Sequence, residues 1–538
     1  MMDVVRQLRD VVAAAVVLRR RGLVDLRNPV EAFRASHALR KYGSFGGLIT
    51  HAASRYGDAT ALVDEAGTLS FRDLERASNA LARGLSRKGI GPGKVIGLLE
   101  RNHRGLMLAL AAAGKVGARV VLLNTGFAAP QLADVCAREH VSAVVADQEF
   151  SALLDVLPAD IERIIGWADD AATLLLTLDS IAGDEWTDPL PAPGKVGGMV
   201  LLTSGTTGTP KGAPRNKVSP LQSAQLLDRI PWPAAGAYCV AAPMFHATGL
   251  ATCSLGLVLG NRVVLARRFE PEETLASIES HRVSALIVVP TMLQRILDLG
   301  PEVLARYDTS SLEVVFAAGS ALSPDLCRQT AEVFGDVLYN LYGSTEVAVA
   351  AVATPGELRS APGTVGRPPV GCTLAAYDGR RRRITEPGCT GTLFVSSGLS
   401  FSGYTDGGNK EIVDGLLSSG DTGHFTADGL WFVDGRDDEM IVSGGENVFP
   451  LEVENLLIAH PGVVDVAVIG VDDDDFGKRL RAFVVRQPGT TLDADGVRNH
   501  VRSGLARHKV PRDVIFLESL PRNETGKVLK GVLRKEFR

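Results

Sequence analysis

The sequence predicts an α/β protein with a large amino-terminal part and a small carboxyl-terminal domain. Two stretches alternate helix-like runs with short apolar strand-like runs, from about 44 to 195 and again from about 237 to 317. Such alternation is typical of α/β units with mostly parallel strands. From about 362 to 435 the pattern changes to short strands with Gly-rich turns, which indicates a β-rich subdomain.

The individual apolar runs predict where the strands lie along the sequence. A final piece of the chain adds one helix-like run, at 450–459, and ends in a polar, basic segment. The predicted strands lie at 94–99, 118–123, 141–146, 237–242, 262–265, 285–289, 313–317, 391–396, 430–433, 464–469 and 481–485.

Length and composition divide the chain and limit its function. A chain of 538 residues is too long for one ordinary hydrophobic core. We predict an arm at 1–43, a large domain at 44–436 with its β-rich part at about 362–436, and a small domain at 437–538. The formal net charge of −5 disfavours a protein whose main task is to bind nucleic acid.

The cysteines indicate the compartment. Six cysteines occur without a C-x-x-C pair or a metal-ligand spacing, which predicts reduced thiols in the cytoplasm and no zinc site. They are Cys136, Cys239, Cys253, Cys327, Cys372 and Cys389.

The amino-terminal arm contains an apolar run at 11–18, which is far below the roughly 20 residues that span a bilayer. Asp3 and Asp10 precede it and three arginines follow it, which argues against a signal peptide. Helical spacing of its apolar residues predicts an amphipathic surface helix. We favour a helix packed on its own protein; contact with a membrane interface is the alternative.

The strongest local signal is a Gly- and hydroxyl-rich loop at 203–212 directly after an apolar strand. Glycines let backbone N–H groups approach phosphates, hydroxyls donate to the oxygens, and Lys211 adds positive charge. The loop is not a Walker A motif, because Gly212 follows the lysine. A flexible polar linker is the alternative. The candidate phosphate ligands are Thr203, Ser204, Gly205, Thr206, Thr207, Gly208 and Lys211.

This loop resembles the core phosphate loop of the adenylate-forming superfamily, which includes acyl-CoA synthetases, firefly luciferases and peptide-synthetase adenylation domains. Four further motifs follow in family order. They lie at 342–346 (Tyr-Gly-Ser-Thr-Glu), 419–421 (Ser-Gly-Asp), 435–438 with 443–447, and 521–527 (Pro-Arg-Asn-Glu-Thr-Gly-Lys). The resemblance covers nearly the whole chain and is strongest to a bacterial fatty acid–CoA ligase.

The resemblance implies a site for ATP and Mg²⁺. Glu346 is a hard oxygen ligand that suits Mg²⁺ between phosphates, and Thr345 would donate to the α-phosphate. Asp421 would accept hydrogen bonds from both ribose hydroxyls, with Arg436 beside it at the ribose or phosphates. The adenine would pack on Tyr342 of the Tyr342-Gly343 pair, against a strand-end turn that contains Gly319 and Ser320.

The resemblance also implies two half-reactions in one cleft. Lys527 would bridge the carboxylate and the α-phosphate during adenylation only. A domain rotation about Asp438 would then bring Ser443, Gly444 and Gly445 beside the pantetheine arm of coenzyme A. Without the resemblance, Lys527 would be interpreted as part of a solvated basic tail.

His246 corresponds to a family histidine near the carboxylate, although isolated histidines are often structural. Gly249, the turn at 318–320 and the Val/Ala run at 347–352 are small or aliphatic where the family lines its acyl pocket. We therefore expect an aliphatic acid rather than an amino acid. Two departures from the family pattern, Leu202 and the turn at 317–320, bear on nucleotide affinity.

The predicted function is ATP-dependent ligation of a medium- or long-chain fatty acid to coenzyme A through acyl-AMP. A ligase for an aryl or other acid is one alternative. An acyl-AMP ligase that loads a carrier protein is another, disfavoured because the hinge lacks a long insertion and no carrier domain follows Arg538. A non-catalytic nucleotide-binding homologue is the alternative of another class, and chain length, pathway and oligomeric state stay open.

Overall fold

The computed structural model describes residues 2–23, 29–170, 173–203, 210–215, 220–439, 441–443, 446–473, 477–523 and 526–537. Two helices form the amino-terminal arm, α1 (Met2–Arg20) and α2 (Pro29–Tyr56), and α2 is kinked at Gly43, where φ is 74°.

Helix α1 packs on its own protein. It buries Ala14 and Leu18 in the main core and lies against the helix at Pro220–Leu227. Beyond its end, Arg21 Nε donates a hydrogen bond to the Leu227 carbonyl at 3.0 Å. Among the described helices, none is both long and apolar enough to cross a membrane. Contact of α1 with a membrane interface stays a prediction.

The first half of the large domain alternates strands and helices, as its sequence pattern predicts. In chain order its elements are β1 (Thr60–Asp64), β2 (Gly67–Ser70), α3 (Phe71–Arg87), β3 (Val95–Leu99), α4 (Arg104–Val116), β4 (Arg119–Leu122), α5 (Ala129–Arg138), β5 (Ala143–Asp147), β6 (Glu162–Trp167), α6 (Leu178–Ala182), β7 (Met199–Leu202) and β8 (Gly212–Arg215), with a 3-10 helix at Gln148–Val156.

The second half repeats the alternation. Its elements are α7 (Pro220–Leu227), β9 (Ala237–Val240), α8 (Ala247–Val258), β10 (Arg262–Val264), α9 (Pro271–His281), β11 (Ala285–Val288), α10 (Pro290–Leu297), α11 (Pro301–Leu304), β12 (Val314–Ala318), α12 (Pro324–Phe334), β13 (Leu338–Tyr342), β14 (Ala351–Ala353) and α13 (Pro355–Ser360).

These elements build two sheets. One has the order β6-β5-β3-β4-β7-β8 and is parallel except for β8. The other has the order β14-β13-β12-β11-β9-β10-β1-β2 and is parallel except for the edge strands β14 and β2. The expectation of two successive units is therefore only approximate, because β1 and β2 come early in the chain yet pair beside β10.

The central strands are unbroken runs of apolar residues, which explains why they lie between layers of helices. Every residue of β3 and of β11 is buried. Strands that are buried on both faces read as unbroken apolar runs rather than as alternating patterns. The carboxyl ends of these strands consequently meet the connecting loops at one edge of each sheet, where the polar residues lie.

A mainly antiparallel sheet of order β15-β20-β19-β17-β16, with β18 beside β19, completes the large domain. Leu374, Leu393, Val395 and Trp431 form part of its core. The strands are β15 (Thr364–Gly366), β16 (Thr373–Tyr377), β17 (Gly391–Ser396), β18 (Ile412–Val413), β19 (Leu416–Phe425) and β20 (Trp431–Arg436).

The carboxyl-terminal domain follows a 3-10 turn at Asp437–Glu439. Its central sheet has the order β23-β24-β25, and β21 pairs with β22 in a separate hairpin. The elements are β21 (Ile441–Ser443), β22 (Glu446–Val448), α14 (Pro450–Ile458), β23 (Val463–Asp473), β24 (Gly477–Arg486), α15 (Ala494–Gly504), a 3-10 turn at Arg507–Lys509, β25 (Asp513–Leu517) and α16 (Lys530–Glu536).

Candidate functional site

The candidate site lies at the carboxyl ends of the strands in the larger sheet. Along the chain β9 leads to β10 on one side, whereas β11 leads to β12 on the other, so the connections diverge between β9 and β11. In open α/β sheets, ligands bind in the crevice at such a switch point. The segment after β9 carries His246, and the segment after β11 begins α10.

The described ends of the phosphate loop lie side by side. Strands β7 and β8 pair antiparallel, and the Thr203 N–H donates to the Lys211 carbonyl at 2.9 Å. Thr203 Oγ1 in turn accepts a hydrogen bond from the Lys211 N–H at 3.3 Å. The two flanks therefore form the base of a hairpin. Ser204, Gly205, Thr206, Thr207 and Gly208 lie outside the described residues.

Lys211 reaches Glu346 through a tyrosine that the sequence did not single out. The Lys211 ammonium lies 3.1 Å from Asp406 and 5.1 Å from the ring centre of Tyr404. The Tyr404 hydroxyl donates to Glu346 Oε1 at 2.7 Å, and the Ser344 hydroxyl donates to Oε2 at 2.9 Å. The phosphate-loop flank and the proposed metal ligand thus belong to one contact network.

Arg215, at the end of β8, fixes the backbone next to Glu346. Its guanidinium donates to the carbonyls of Thr345 and Leu399. Burial lowers the pKa of Arg215, and the nearby Glu346 carboxylate opposes that shift. Thr345 therefore has its carbonyl turned toward β8. Neither Arg215 nor Tyr404 stood out in the sequence, because each contacts the motif across a long chain separation.

The residues expected at the adenosine meet in the β-rich sheet. Asp421 lies directly opposite Arg436 in the β19–β20 pair, with 3.5 Å between their charged groups. The Tyr342 hydroxyl donates to Asp421 Oδ2 at 2.6 Å. Burial raises the pKa of the Asp421 carboxyl, although the Tyr342 hydrogen bond and the Arg436 charge oppose the shift. Burial and the Asp421 charge raise the pKa of Tyr342.

Two glycines shape the backbone around that group. A methyl group at Gly343 would lie 1.8 Å from the Ala348 carbonyl, so only glycine fits there. Gly319 has φ of 100°, a conformation that L side chains rarely adopt, and it turns the chain between β12 and Ser320.

Lys527 belongs to a tight turn of the carboxyl-terminal domain that inserts toward the sheet edge. Its N–H donates to Asn523 Oδ1 at 2.9 Å, and a methyl group at Gly526 would lie 2.0 Å from Thr291 of α10. Burial and then the Arg436 charge lower the pKa of the Lys527 ammonium. The Asp421, Glu439 and Glu346 carboxylates oppose that shift, so Lys527 shares their neighbourhood.

His246 is the N-cap residue of α8, and its ring packs at a tilt of 49° against that of Phe245, with 4.5 Å between ring centres. Its Nε2 atom is enclosed and has no hydrogen-bond partner among the described residues. Burial, followed by the Lys527 charge, lowers the pKa of His246 to about 4. The imidazole is therefore neutral at physiological pH, and its pKa responds to the lysine of the other domain.

The hinge region is described in part. Asp438 lies within the 3-10 turn, and Ser443 pairs with Glu446 in the β21–β22 hairpin. Gly444 and Gly445 lie outside the described residues. Next to the turn, the Lys530 ammonium lies 2.9 Å from both Glu439 and Glu454, and their charges raise its pKa despite burial.

A second polar cluster lies at the smaller sheet. Within the described ranges, one group of three potential metal ligands, Glu100, His103 and Asp147, has its ligand atoms within 4.8 Å of one another. His103 Nδ1 accepts a hydrogen bond from the Gly105 N–H at 3.0 Å, so its proton resides on Nε2, which donates to Asp147 at 2.7 Å. A metal-bound histidine would instead donate its second N–H outward. His103 and Asp147 therefore form a hydrogen-bonded pair, and the buried Glu100 beside them has neither carboxylate oxygen bonded among the described residues.

Comparison with known proteins identifies the family. The protein-family model for AMP-binding enzymes matches residues 49–405, and the family model for the C-terminal domain of AMP-binding enzymes matches residues 452–527. The chain belongs to the AMP-binding enzyme family.

Individual relatives span most of the chain. An indoleacetate–CoA ligase of Aromatoleum aromaticum is 31% identical over 87% of this chain and 93% of its own length. A fatty acid–[acyl-carrier-protein] ligase of Streptomyces coeruleorubidus is 30% identical over 89% and 93%. The ATP-bound structure of MatB from Rhodopseudomonas palustris has a TM-score of 0.80 at 25% identity, covering 92% of this chain and 99% of that one.

Proposed function

We propose that the protein is an acid–CoA ligase that converts a carboxylic acid and ATP into acyl-AMP and pyrophosphate, then transfers the acyl group to coenzyme A with release of AMP. One observation carries the proposal: the small-domain segment next to Lys527 packs at Gly526 against Thr291 of α10, and the pKa of Lys527 responds to the Glu346 and Asp421 carboxylates as that of His246 responds to Lys527. Those are the groups that an acyl-adenylate site requires on its two sides.

The first half-reaction joins two anions. A carboxylate oxygen attacks the α-phosphorus, and the bond to the bridging oxygen of pyrophosphate breaks. The barrier is dominated by charge and alignment, which favours preorganised cations and donors. Lys527 would neutralise the two reacting groups, and Thr345 would donate to the α-phosphate from the backbone segment that Arg215 fixes.

The donor set around Glu346 fits a magnesium ion. Each carboxylate oxygen accepts one hydroxyl hydrogen bond, from Tyr404 or Ser344, and a carboxylate offers about four acceptor positions. Capacity therefore remains for a hard cation that also binds phosphate oxygens. When bound, such an ion neutralises the charge of the triphosphate. Lys211, next to Tyr404, would add to that neutralisation.

The second half-reaction would use another arrangement of the small domain. Lys530 holds its segment to Glu439 and Glu454, so the turn that carries Lys527 would move with the small domain when the chain rotates about Asp438. Departure of Lys527 would free the cleft for the pantetheine arm, with Ser443, Gly444 and Gly445 beside it. The thiolate then attacks the acyl carbon and AMP leaves.

A medium- or long-chain fatty acid is the first candidate for the acid, and an aryl acid is the second. The resemblance in sequence predicts that the run at 347–352 forms part of the acyl-pocket lining. The structure weakens that argument, because Val347, Ala350 and Ala351 pack in the core of the β-rich sheet. The aryl candidate is favoured by the indoleacetate–CoA ligase among the relatives. Both candidates are apolar acids.

Two measurements test the proposal. Acid-dependent exchange of pyrophosphate into ATP, without coenzyme A, reports the first step, and CoA-dependent AMP release reports the second. Straight-chain acids from hexanoate to palmitate and aryl acids including indoleacetate are compared by kcat/KM. AMP release that requires a pantetheinylated carrier protein instead of coenzyme A would favour the carrier-loading alternative. No exchange with any acid would overturn the proposal in favour of a non-catalytic homologue.

A further inference from the structure

Asn102 connects the two sheets at their carboxyl edges. It lies in the loop between β3 and α4 of the smaller sheet and is 5% exposed. Its side-chain amide donates to the carbonyls of Val240 at 3.1 Å and Ala242 at 3.0 Å, and its oxygen accepts the Met244 N–H at 2.8 Å. One side chain therefore satisfies three backbone groups of the segment between β9 and α8.

That segment leads directly to His246. From the other side it is held by the Ile287 carbonyl, which accepts hydrogen bonds from the Ala241 and Ala242 N–H groups at 3.0 and 3.1 Å. Phe245 and His246 follow, and the His246 N–H donates to the Pro243 carbonyl at 3.2 Å. Because His246 Nε2 has no partner among the described residues, its ring position depends on this backbone segment and on ring packing.

We propose that Asn102 is a positioning residue for the acid: it sets the 240–246 segment so that His246 meets the carboxylic acid substrate. The inference rests on the proposed function. Displacement of a reacting geometry by about 1 Å costs up to roughly 100-fold in rate. Loss of Asn102 leaves three buried backbone groups without their partner, so the segment shifts to satisfy them.

The chain offers a matched control. Asn261 is fully buried and makes the same three kinds of bond: its oxygen accepts the Gly236 N–H at 2.7 Å, and its amide donates to the carbonyls of Pro233 at 3.1 Å and Gly256 at 3.2 Å. It lies before β10, at the amino edge of the larger sheet, opposite to the edge that carries His246. Replacing either asparagine with alanine removes two donated hydrogen bonds and one accepted hydrogen bond, but only Asn102 bonds to the segment before His246.

The test is a double-mutant cycle read by acid-dependent pyrophosphate exchange. The variants are Asn102→Ala, His246→Ala and their combination, together with Asn261→Ala alone and with His246→Ala. We expect Asn102→Ala to lower kcat/KM for the acid by up to about 10-fold, no more than the loss of His246 itself, mainly through KM, with KM for ATP within about 2-fold. The double variant with His246→Ala should fall within about 3-fold of His246→Ala, because both changes remove one interaction.

Three results would overturn the inference. They are multiplicative effects of Asn102→Ala and His246→Ala, an unchanged KM for the acid in Asn102→Ala, and the same acid-specific loss in Asn261→Ala. If Asn102→Ala does not fold, the same-sized Asn102→Asp, which keeps the acceptor for Met244 but loses both donors, enters the same cycle. Wild-type protein that exchanges with no acid would refute the proposed function instead.

Discussion

Two histidines occupy equivalent places in the two sheets, yet their surroundings differ. His103 and His246 are each the N-cap of the helix that follows the first strand at a switch point, β3 in one sheet and β9 in the other. Both ring nitrogens of His103 are hydrogen-bonded, one to Gly105 and the other to Asp147, and its ring centre lies 5.1 Å from that of Trp167. His246 has a buried Nε2 without a partner among the described residues, and the Lys527 charge helps burial to lower its pKa.

The difference separates a structural histidine at β3 from a histidine at β9 that is available to a ligand. At β3 both ring nitrogens of His103 are bonded, while the neighbouring Glu100 is buried with neither carboxylate oxygen bonded among the described residues. Burial together with the Asp147 charge raises the pKa of Glu100 well above its ordinary value. At β9 the buried Nε2 atom of His246 has no partner among the described residues and is available to a ligand. A buried histidine whose two ring nitrogens are both bonded within the protein stabilises the fold, whereas a histidine with an unbonded nitrogen at a switch point indicates binding of a ligand.

The largest effect is expected at Lys527. Replacing Lys527 with Ala should lower acid-dependent pyrophosphate exchange by about 10²–10³-fold, because the site loses the cation at the reacting anions. Thiolysis of supplied acyl-AMP by coenzyme A should stay within about 3-fold of wild type. The exposed Lys535→Ala serves as the control and should retain both rates. Equal losses in the two half-reactions would refute the role of Lys527 in adenylation.

The same substitution at the two equivalent histidines should have opposite consequences. His103→Asn keeps a good N-cap but loses the bond to Asp147, so we expect the free energy of unfolding to fall by about 2–4 kcal/mol. Acid-dependent exchange by the folded variant should be nearly unchanged. His246→Asn should instead lower kcat/KM for the acid roughly 10-fold, with a small change in stability at neutral pH.

Urea unfolding and exchange kinetics on the two variants check this pair. If His103→Asn impairs acid kinetics as strongly as His246→Asn does, the distinction between a structural histidine at β3 and a substrate-binding histidine at β9 is wrong.

A smaller effect should appear in the pH dependence of stability. The folded pKa of His246 is about 4, below its ordinary value near 6.5, so the unfolded chain binds more protons between these values. The contribution of His246 to stability is therefore lost as pH falls from about 6.5 toward 4. At pH 5 the loss relative to pH 7 is about 2 kcal/mol.

That contribution is measured by comparing wild type with His246→Asn. The variant should lose less unfolding free energy than wild type does between pH 7 and pH 5. An identical pH dependence in the two proteins would contradict the buried, neutral state of His246.

The sequence predicted local structure better than long-range pairing. The strand at 391–396 has the predicted bounds, and the strand at 285–289 differs by one residue, because such short apolar runs are decided by their own residues. By contrast, β1 and β2 were not assigned to the larger sheet. The pairing of β1 with β10 joins residues about 200 positions apart, which no local pattern encodes, and β2 joins the sheet only through β1.

The candidate site shows the same division. Glu346, Asp421 and Lys527 could be selected because each lies in a short motif whose order matches the family. Arg215 and Tyr404 lie outside those motifs. Their roles in the site depend on contacts with Thr345 and Glu346 that only the folded chain creates. Asn102 was missed for the same reason, since it acts on the segment before His246 across 138 to 142 residues.

The most direct test of the account is to identify the nucleotide product of one turnover. The protein is mixed with Mg²⁺, ATP and an accepted acid without coenzyme A, and the enzyme-bound products are identified by mass spectrometry. When wild type has completed one turnover, we predict about one acyl-AMP per active site, with pyrophosphate released, and on the order of 1% or less of either from Lys527→Ala. ADP with inorganic phosphate, or acyl-AMP formed equally by Lys527→Ala, would contradict it.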